Sequence, residues 1–390
     1  MREQKTAGKL YLVKHPKSVG SHPELGRALL LLWIVCGVSV AASASPPADS
    51  CRQGLAALQS GNRQGAEPLL RQCLAVNPDQ IHPYLALCGI YQSQGKTEEL
   101  FQTAESGLKR FPGEKRFYLT VGNHLGGKEK YERAISVFEE AYRRWPDDGQ
   151  LKEGLANAHL YKGIQLMDKN ENQEAELHLR RAAKLAENDT DAHLNLGRAL
   201  HNLSRGTEAV AEFDKVITLD PKVPLAWFHR GMVLHSLGDL DPAIADLTVE
   251  IRQNPDYPPS YFFRGRAYFT KGLFAEALAD LDVAVRKMPG NPKALFERGR
   301  CYNQLARTAE AEADFRKAAQ LEPDNPEPLN ALGRLLWLSG KKEEGEALFE
   351  KAREKSRARR VVTPGEIRFE GAEPPRHENT KKTQTQRQTK

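Results

Sequence analysis

A 34-residue spacing constrains this chain more than any other feature of it. Across residues 258–291 the anchors are Tyr261, Arg264, Gly265, Tyr268, Ala277, Leu281, Ala284 and Pro289. Thirty-four residues earlier the matching slots hold Trp227, Arg230, Gly231, Leu234, Ala243, Leu247 and Pro255. Thirty-four residues later they hold Leu295, Arg298, Gly299, Tyr302, Ala311, Phe315, Ala318 and Pro323. The glycine slot recurs at Gly54, Gly122, Gly163, Gly197, Gly231, Gly265, Gly299 and Gly333, with Cys88 in the remaining copy. Every step is 34 residues or a multiple, except the 41 between Gly122 and Gly163. Prolines close most copies, at Pro78, Pro112, Pro146, Pro221, Pro255, Pro289 and Pro323, whereas Glu187 and Arg357 stand in that slot elsewhere. The frame predicts nine units, beginning near 47, 81, 115, 156, 190, 224, 258, 292 and 326, the fourth being the weakest copy.

Each unit reads as two helices and a tight turn. Tyr261 and Tyr268 lie at helical spacing on one face, and Ala277, Leu281 and Ala284 repeat that pattern after a turn at Lys271–Gly272. A glycine inside a helix costs roughly 1 kcal/mol against alanine, so its recurrence calls for close helix packing. The closing proline stops the second helix, having no N–H to donate. One such pair cannot bury its own apolar face, so neighbours must stack.

The series of Trp227/Tyr261, Gly231/Gly265, Tyr268, Ala277, Leu281/Phe315 and Pro289 resembles the tetratricopeptide repeat family. That resemblance covers about four-fifths of the chain. It implies an all-α fold, a right-handed α-solenoid (superhelix) of about nine helix-turn-helix repeats. It also implies that first helices line a concave surface where ligand peptides lie.

The two ends stand outside the frame. Basic residues from Arg2 to Arg27 precede the apolar run 28–40, and Ala42-Ser43-Ala44 forms an A-x-A site, the pattern of a secretory signal peptide over residues 1–44. Cleavage before Ser45 predicts an exported protein, periplasmic or extracellular; the alternative is an uncleaved anchor that tethers the chain to a membrane. The array spans 47–359, and 360–390 reads as a disordered basic tail. The whole chain carries +6, of which residues 1–44 hold +4 and residues 356–390 hold +5, leaving −3 for the repeats. Nucleic acid is not an expected partner, since the folded part lacks the charge for it.

Chemistry-bearing motifs are missing. No H-E-x-x-H, G-x-S-x-G, Walker loop or C-x2-C pair occurs, so neither an enzyme, a cofactor nor a metal site is expected. His201 and His235 share a groove-facing slot and read as ordinary polar groups there. Cys73 and Cys88 occupy small-residue packing slots. They are either two buried thiols standing in for alanine or a disulfide stapling the first two units, which export would permit. Cys301 reads as a lone buried thiol.

Arg230, Arg264 and Arg298 recur with Asp246, Asp280 and Asp314, and where Leu332 replaces the arginine Leu348 replaces the aspartate. That covariation predicts an ion pair within each unit. On the groove slots implied by the family stand Leu194 and Arg198; Phe228 and Met232; Phe262, Arg266 and Phe269; Phe296, Arg300 and Asn303; Asn330, Arg334 and Trp337. The first units hold Cys51 and Leu55, Leu85 and Gly89, Leu119 and Asn123 instead. Arginines interleaved with aromatics are common interface hot spots. The expected partner is therefore a protein or peptide with acidic and apolar residues, bound non-enzymatically by a scaffold. The alternative reading is a membrane-tethered assembly factor in the cell envelope, should the N-terminal segment remain uncleaved.

Overall fold

The structure, a computed structural model, describes residues 47–362. The expectations for residues 1–46 and 363–390, the leader and most of the basic tail, lie outside the described residues. The described chain forms two units, divided at Gln253 and Asn254.

The first unit carries α1 (Pro47–Gln59), α2 (Arg63–Val76), α3 (Ile81–Gln94), α4 (Thr97–Arg110), α5 (Lys115–Gly127), α6 (Tyr131–Arg144), α7 (Gly149–Asp168), α8 (Asn172–Leu185), α9 (Thr190–Asn202), α10 (Gly206–Leu219), α11 (Ala226–Leu237) and α12 (Leu240–Gln253). The second carries α13 (Pro258–Thr270), α14 (Phe274–Lys287), α15 (Pro292–Gln304), α16 (Thr308–Leu321), α17 (Pro326–Leu338) and α18 (Lys342–Val362). No strand occurs among the described residues. Odd and even helices pair as hairpins, and within each unit each hairpin packs on the next. Within each unit odd helices also touch odd helices of the neighbouring hairpin, as α5 touches α7 and α13 touches α15. Within each unit the first helices thus form one layer and the second helices another.

The glycine slot has a steric cause. A Cβ built on Gly122 would lie 2.5 Å from the Phe138 ring, one on Gly265 2.8 Å from Leu281, and one on Gly299 2.8 Å from Phe315. In every case the neighbour lies 16 residues later, on the second helix of the same hairpin. The copy without glycine shows the converse. Cys88 is matched 16 residues later by Ala104, and both are buried in one apolar cluster. The pair exchanges a small-plus-large contact for two intermediate side chains, which keeps the volume nearly constant.

The turn between the helices of a hairpin also recurs. Left-handed backbone occurs at Gly61, Gly95, Glu129, Asn170, Ser204, Gly238, Gly272, Ala306 and Gly340, at the same 34-residue steps and the one 41-residue step. Glycine meets this geometry without cost in five copies, whereas the other four hold an L side chain there. Side-chain caps start many first helices: Asp148, Asp189, Asn291 and Asn325 each accept from backbone N–H groups one turn on.

Several boundaries differ from the sequence frame. The seven extra residues enter the first helix of the fourth hairpin, so α7 begins at Gly149 and runs for 20 residues. Helix α11 begins only at Ala226, because Leu225 adopts a left-handed conformation at φ 65° after the Pro221–Pro224 turn. Helix α18 continues to Val362, past the end of the frame.

The cysteines correct the sequence reading. Cys73 pairs with Cys51, not with Cys88, and this disulfide joins α1 to α2 within the first hairpin across Cα atoms 4.8 Å apart. Cys51 is accordingly buried rather than displayed on the first-helix face. Cys88 and Cys301 are free and buried, and burial pushes both thiols up to about 12.

Candidate partner-binding site

Two kinds of arginine occupy the first helices, and the fold gives them different work. Arg230, Arg264 and Arg298 face the second helix of their own hairpin. Each makes a bidentate pair: Arg230 Nε and Nη2 donate to Asp246 at 2.7 Å, and Arg264 donates to Asp280 at 2.7 and 2.8 Å. Arg298 donates to Asp314 at 2.7 and 2.8 Å. The aspartates are almost fully covered, with side chains 5–8 % exposed. The intra-unit ion pair expected from covariation is present in all three. A further link was not read from the sequence. Arg230 also donates to Asp214 at 2.5 Å and Arg298 to Asp282 at 3.0 Å, on the second helix of the preceding hairpin. These arginines therefore tie three helices together, and their donors to Asp246 and Asp314 hold the guanidinium pKa above its usual value.

The other kind, in the second unit, lies three or four residues from an aromatic on the same helix. In the second unit Phe262, Arg266 and Phe269 stand on α13, Phe296, Arg300 and Asn303 on α15, and Asn330, Arg334 and Trp337 on α17. Spacings of three, four and seven residues put each set on one stripe. Phe262, Phe269 and Phe296 are half-buried and lean on the core formed with Leu281, Tyr302 and Phe315. Arg266 lies over the Phe262 and Phe263 rings at 5.7 and 5.8 Å, and Arg300 lies over Phe269 at 4.2 Å.

Glu297 changes the electrostatics of this stripe. Its carboxylate receives Arg300 Nη1 at 2.7 Å and lies 3.3 Å from Arg266 Nε, with the glutamate side chain 11 % exposed. Two arginines that the sequence alone presents as free forks thus share one internal acid. The signal was legible, since the slot of Glu297 holds Phe263 and Ala331 in the flanking copies. The net charge of the trio is +1 rather than +2.

Arg334 is different. It is exposed and has no ion-pair or hydrogen-bond partner among the described residues. Asn330 on the same helix and Asn303 on α15 are exposed, Trp337 is 42 % exposed, and Leu338 is 71 % exposed. Lys342 approaches the Trp337 ring at 5.4 Å. An unpaired guanidinium, two amides and an aromatic face together offer donors and apolar area to a ligand.

In the first unit the same slots present less. Arg198 is half-buried and donates to Asn195 Oδ1 at 2.8 Å. Phe228 is a correction: at 4 % exposure it is a core residue with its ring edge on His229, so the expected exposed aromatic row lacks that member. His201 is half-covered and its pKa is lowered by burial. Among the described residues no group of three or more His, Cys, Asp and Glu side chains could hold a metal ion.

Stacked helical hairpins in a 34-residue register, with a steric glycine slot at all but one crossing, define a repeat fold. Family models described as tetratricopeptide repeat match residues 119–164, 162–224, 209–258 and 262–326, and a second of that description matches 306–362. The chain belongs to the tetratricopeptide repeat family. Among solved structures, MamA from Desulfovibrio magneticus RS-1 is 24% identical, with 43% of this chain and 95% of that one covered and a TM-score of 0.41. YrrB, described as a TPR protein with an unusual peptide-binding site, is 22% identical over 49% of this chain and 95% of its own, with a TM-score of 0.42. Yeast Tom70 is 14% identical over 81% of this chain and 94% of its own, with a TM-score of 0.39. No curated protein matches the chain.

Proposed function

We propose that this protein is an exported scaffold that binds a peptide segment of another protein on the first-helix face of residues 254–362. The observation that carries this reading is the exposure of Asn303, Asn330, Arg334 and Trp337, with Arg334 lacking any partner among the described residues. The ligand has a carboxylate for Arg334 and an aromatic or branched apolar side chain for Trp337 and Leu338. Arginine suits the carboxylate because its planar fork binds two oxygens at once. Arg266 and Arg300, already satisfied by Glu297, contribute packing surface more than charge. Export is supported by the Cys51–Cys73 disulfide, a bond that persists in oxidising compartments, and by the leader sequence of residues 1–44.

The test is selection of a phage-displayed library of random 12-residue peptides on the whole chain. Selected peptides are expected to combine Asp or Glu with an aromatic residue. Arg334→Ala and Trp337→Ala should each weaken their binding by about 1–3 kcal/mol, as hot-spot truncations do. Leu119→Ala in the first unit should leave it unchanged. Selected peptides that bind equally well to all three variants would place the site elsewhere.

A further inference from the structure

The fourth hairpin, α7 with α8, is joined differently from the later ones. Lys162 stands in the slot of Arg230, two repeats earlier, but the slot of Asp246 there holds His178. Lys162 pairs instead with Glu132 on α6, in the preceding hairpin. Between α7 and α8 the polar contact at this level is made by two imidazoles, with His159 Nδ1 2.9 Å from His178 Nδ1. His159 is 7 % exposed, and its Nε2 is buried with no hydrogen-bond partner among the described residues. No third metal-ligating side chain joins the pair among the described residues, so a proton serves its two facing lone pairs.

One repeat later the same two slots hold His193 and Glu212. There His193 Nδ1 meets Glu212 Oε2 at 2.6 Å and Nε2 meets the Glu187 carbonyl at 3.0 Å, so both ring nitrogens face acceptors. A second proton on that ring finds a partner. On the His159–His178 pair it does not. With the shared proton on His159 Nδ1, the buried Nε2 is a bare acceptor, and the half-buried His178 carries its own proton on Nε2. A further proton on His159 Nε2 makes a buried cation that nothing accepts from. On His178 Nδ1 it sets two donors against each other. If His178 donates instead, the proton of His159 moves to Nε2, again without an acceptor. Each arrangement costs the closed hairpin more than an opened one, where water hydrates both rings.

We propose that the His159–His178 pair is a proton-operated latch, which holds α7 against α8 at neutral pH and releases the fourth hairpin on acidification. It is independent of the partner face proposed above. The surrounding charges pull both ways: Lys162 on α7 and Arg181 on α8 oppose a further proton, whereas Glu132 and Glu139 on α6 and Glu174 on α8 favour it. Helices α5 and α9, which also pack on α7, put no charge among the strongest acting on either ring. Burial outweighs the rest, holding His159 at about 4 and His178 below its usual value. An unfolded histidine titrates near 6.5, so the opened hairpin takes up the proton first. Closure is therefore full above about pH 6.5 and weakens as pH falls towards 4. Each hairpin of a repeat array contacts only its neighbours, so release here interrupts the first-helix layer of the first unit.

The experiment is hydrogen exchange of the full chain at pH 7.5 and 5.0, with protection factors corrected for the intrinsic pH dependence of exchange. For His159 alone, titration near 6.5 when open and about 4 when closed makes opening about thirtyfold more favourable at the lower pH. Protection of α7 and α8 amides should therefore fall by about tenfold or more, and that of α1–α4 by much less. Two variants of opposite chemistry assign the cause. His178→Glu copies the His193–Glu212 arrangement, and His159→Leu/His178→Leu copies the last repeat, which carries Leu329 and Leu348 at these slots. Each, compared with its own value at pH 7.5, should keep its α7–α8 protection at pH 5.0. The buried His229 on α11 gives all three proteins the same separate response there. A loss in α7 and α8 no larger than that in α1–α4 overturns the latch, and so does a loss undiminished in either folded variant. Circular dichroism at pH 7.5 shows which variants fold, and one that does leaves the question decided.

Discussion

Removing the Asp314 carboxylate tests how the repeats are locked together. Asp314→Ala deletes two charge-assisted hydrogen bonds, at 2.7 and 2.8 Å, to a guanidinium whose side chain is 19 % exposed. Stranding one partner of a fully buried pair costs about 3–5 kcal/mol, and a single hydrogen bond to a charged group about 1.5–3 kcal/mol. Arg298 is not fully stranded, because Asp282 remains at 3.0 Å and the Tyr302 ring at 5.5 Å. The expected loss is therefore about 2 kcal/mol. Arg298→Leu should cost more, since Asp314 has no second cation among the described residues and its side chain is 8 % exposed. The double variant with leucine at both positions should cost less than either, because Leu332 and Leu348 already fill these slots in the last repeat within one apolar cluster. The coupling energy from the cycle should reach about 2 kcal/mol. A repeat array does not melt as one two-state unit, so the readout is hydrogen exchange of α15 and α16 amides, supported by urea titration. A coupling below about 0.5 kcal/mol, or exchange that accelerates only at distant hairpins, refutes the reasoning.

Three further outcomes are expected. Reducing the Cys51–Cys73 disulfide, which closes a loop of 22 residues, should destabilise the first hairpin by roughly 3 kcal/mol; dithiothreitol should raise exchange in α1 and α2 and leave α13–α18 unchanged, and a uniform response would count against it. Ala306→Gly should stabilise the chain by up to about 1 kcal/mol, because φ there is +57° and relief of the left-handed strain outweighs the added freedom of the unfolded chain; a lowered Tm is the contrary result. Burial holds His159 down at about 4 and His229 at about 3, while an unfolded histidine titrates near 6.5. The unfolded state therefore takes up protons first on acidification, so stability is full above about pH 6.5 and declines as pH falls towards the folded values. The Tm should drop between pH 7.5 and 4.5, less steeply in His229→Phe, and a flat profile would exclude the mechanism.

Much of this could be read from spacing, because a repeat states its own contacts many times over. The recurring glycine called for a close helix crossing, and the structure supplied its partner, the large residue 16 positions later. The Arg–Asp pairs were legible because the last repeat changes both members at once. The second carboxylates, Asp214 and Asp282, were not, since they belong to the preceding hairpin and recur in only some copies. Phe228 also escaped: it occupies the same slot as Phe262 and Phe296, yet its helix starts late after the left-handed Leu225, and the ring is buried.

The sequence by itself determined the class of fold, the hairpin as its unit and the residues that fill the crossing, because local periodicity and nearest-neighbour packing are set within about 34 positions. Only the tertiary structure decided which charges remain for a ligand. Arg266, Arg300 and Arg334 are equivalent by register, but the first two pair with Glu297 and lay their faces on aromatic rings, and the third has neither an ion-pair nor a cation–π partner among the described residues. A slot records position on a helix. Whether a charge on that slot is free depends on what the next helix places against it.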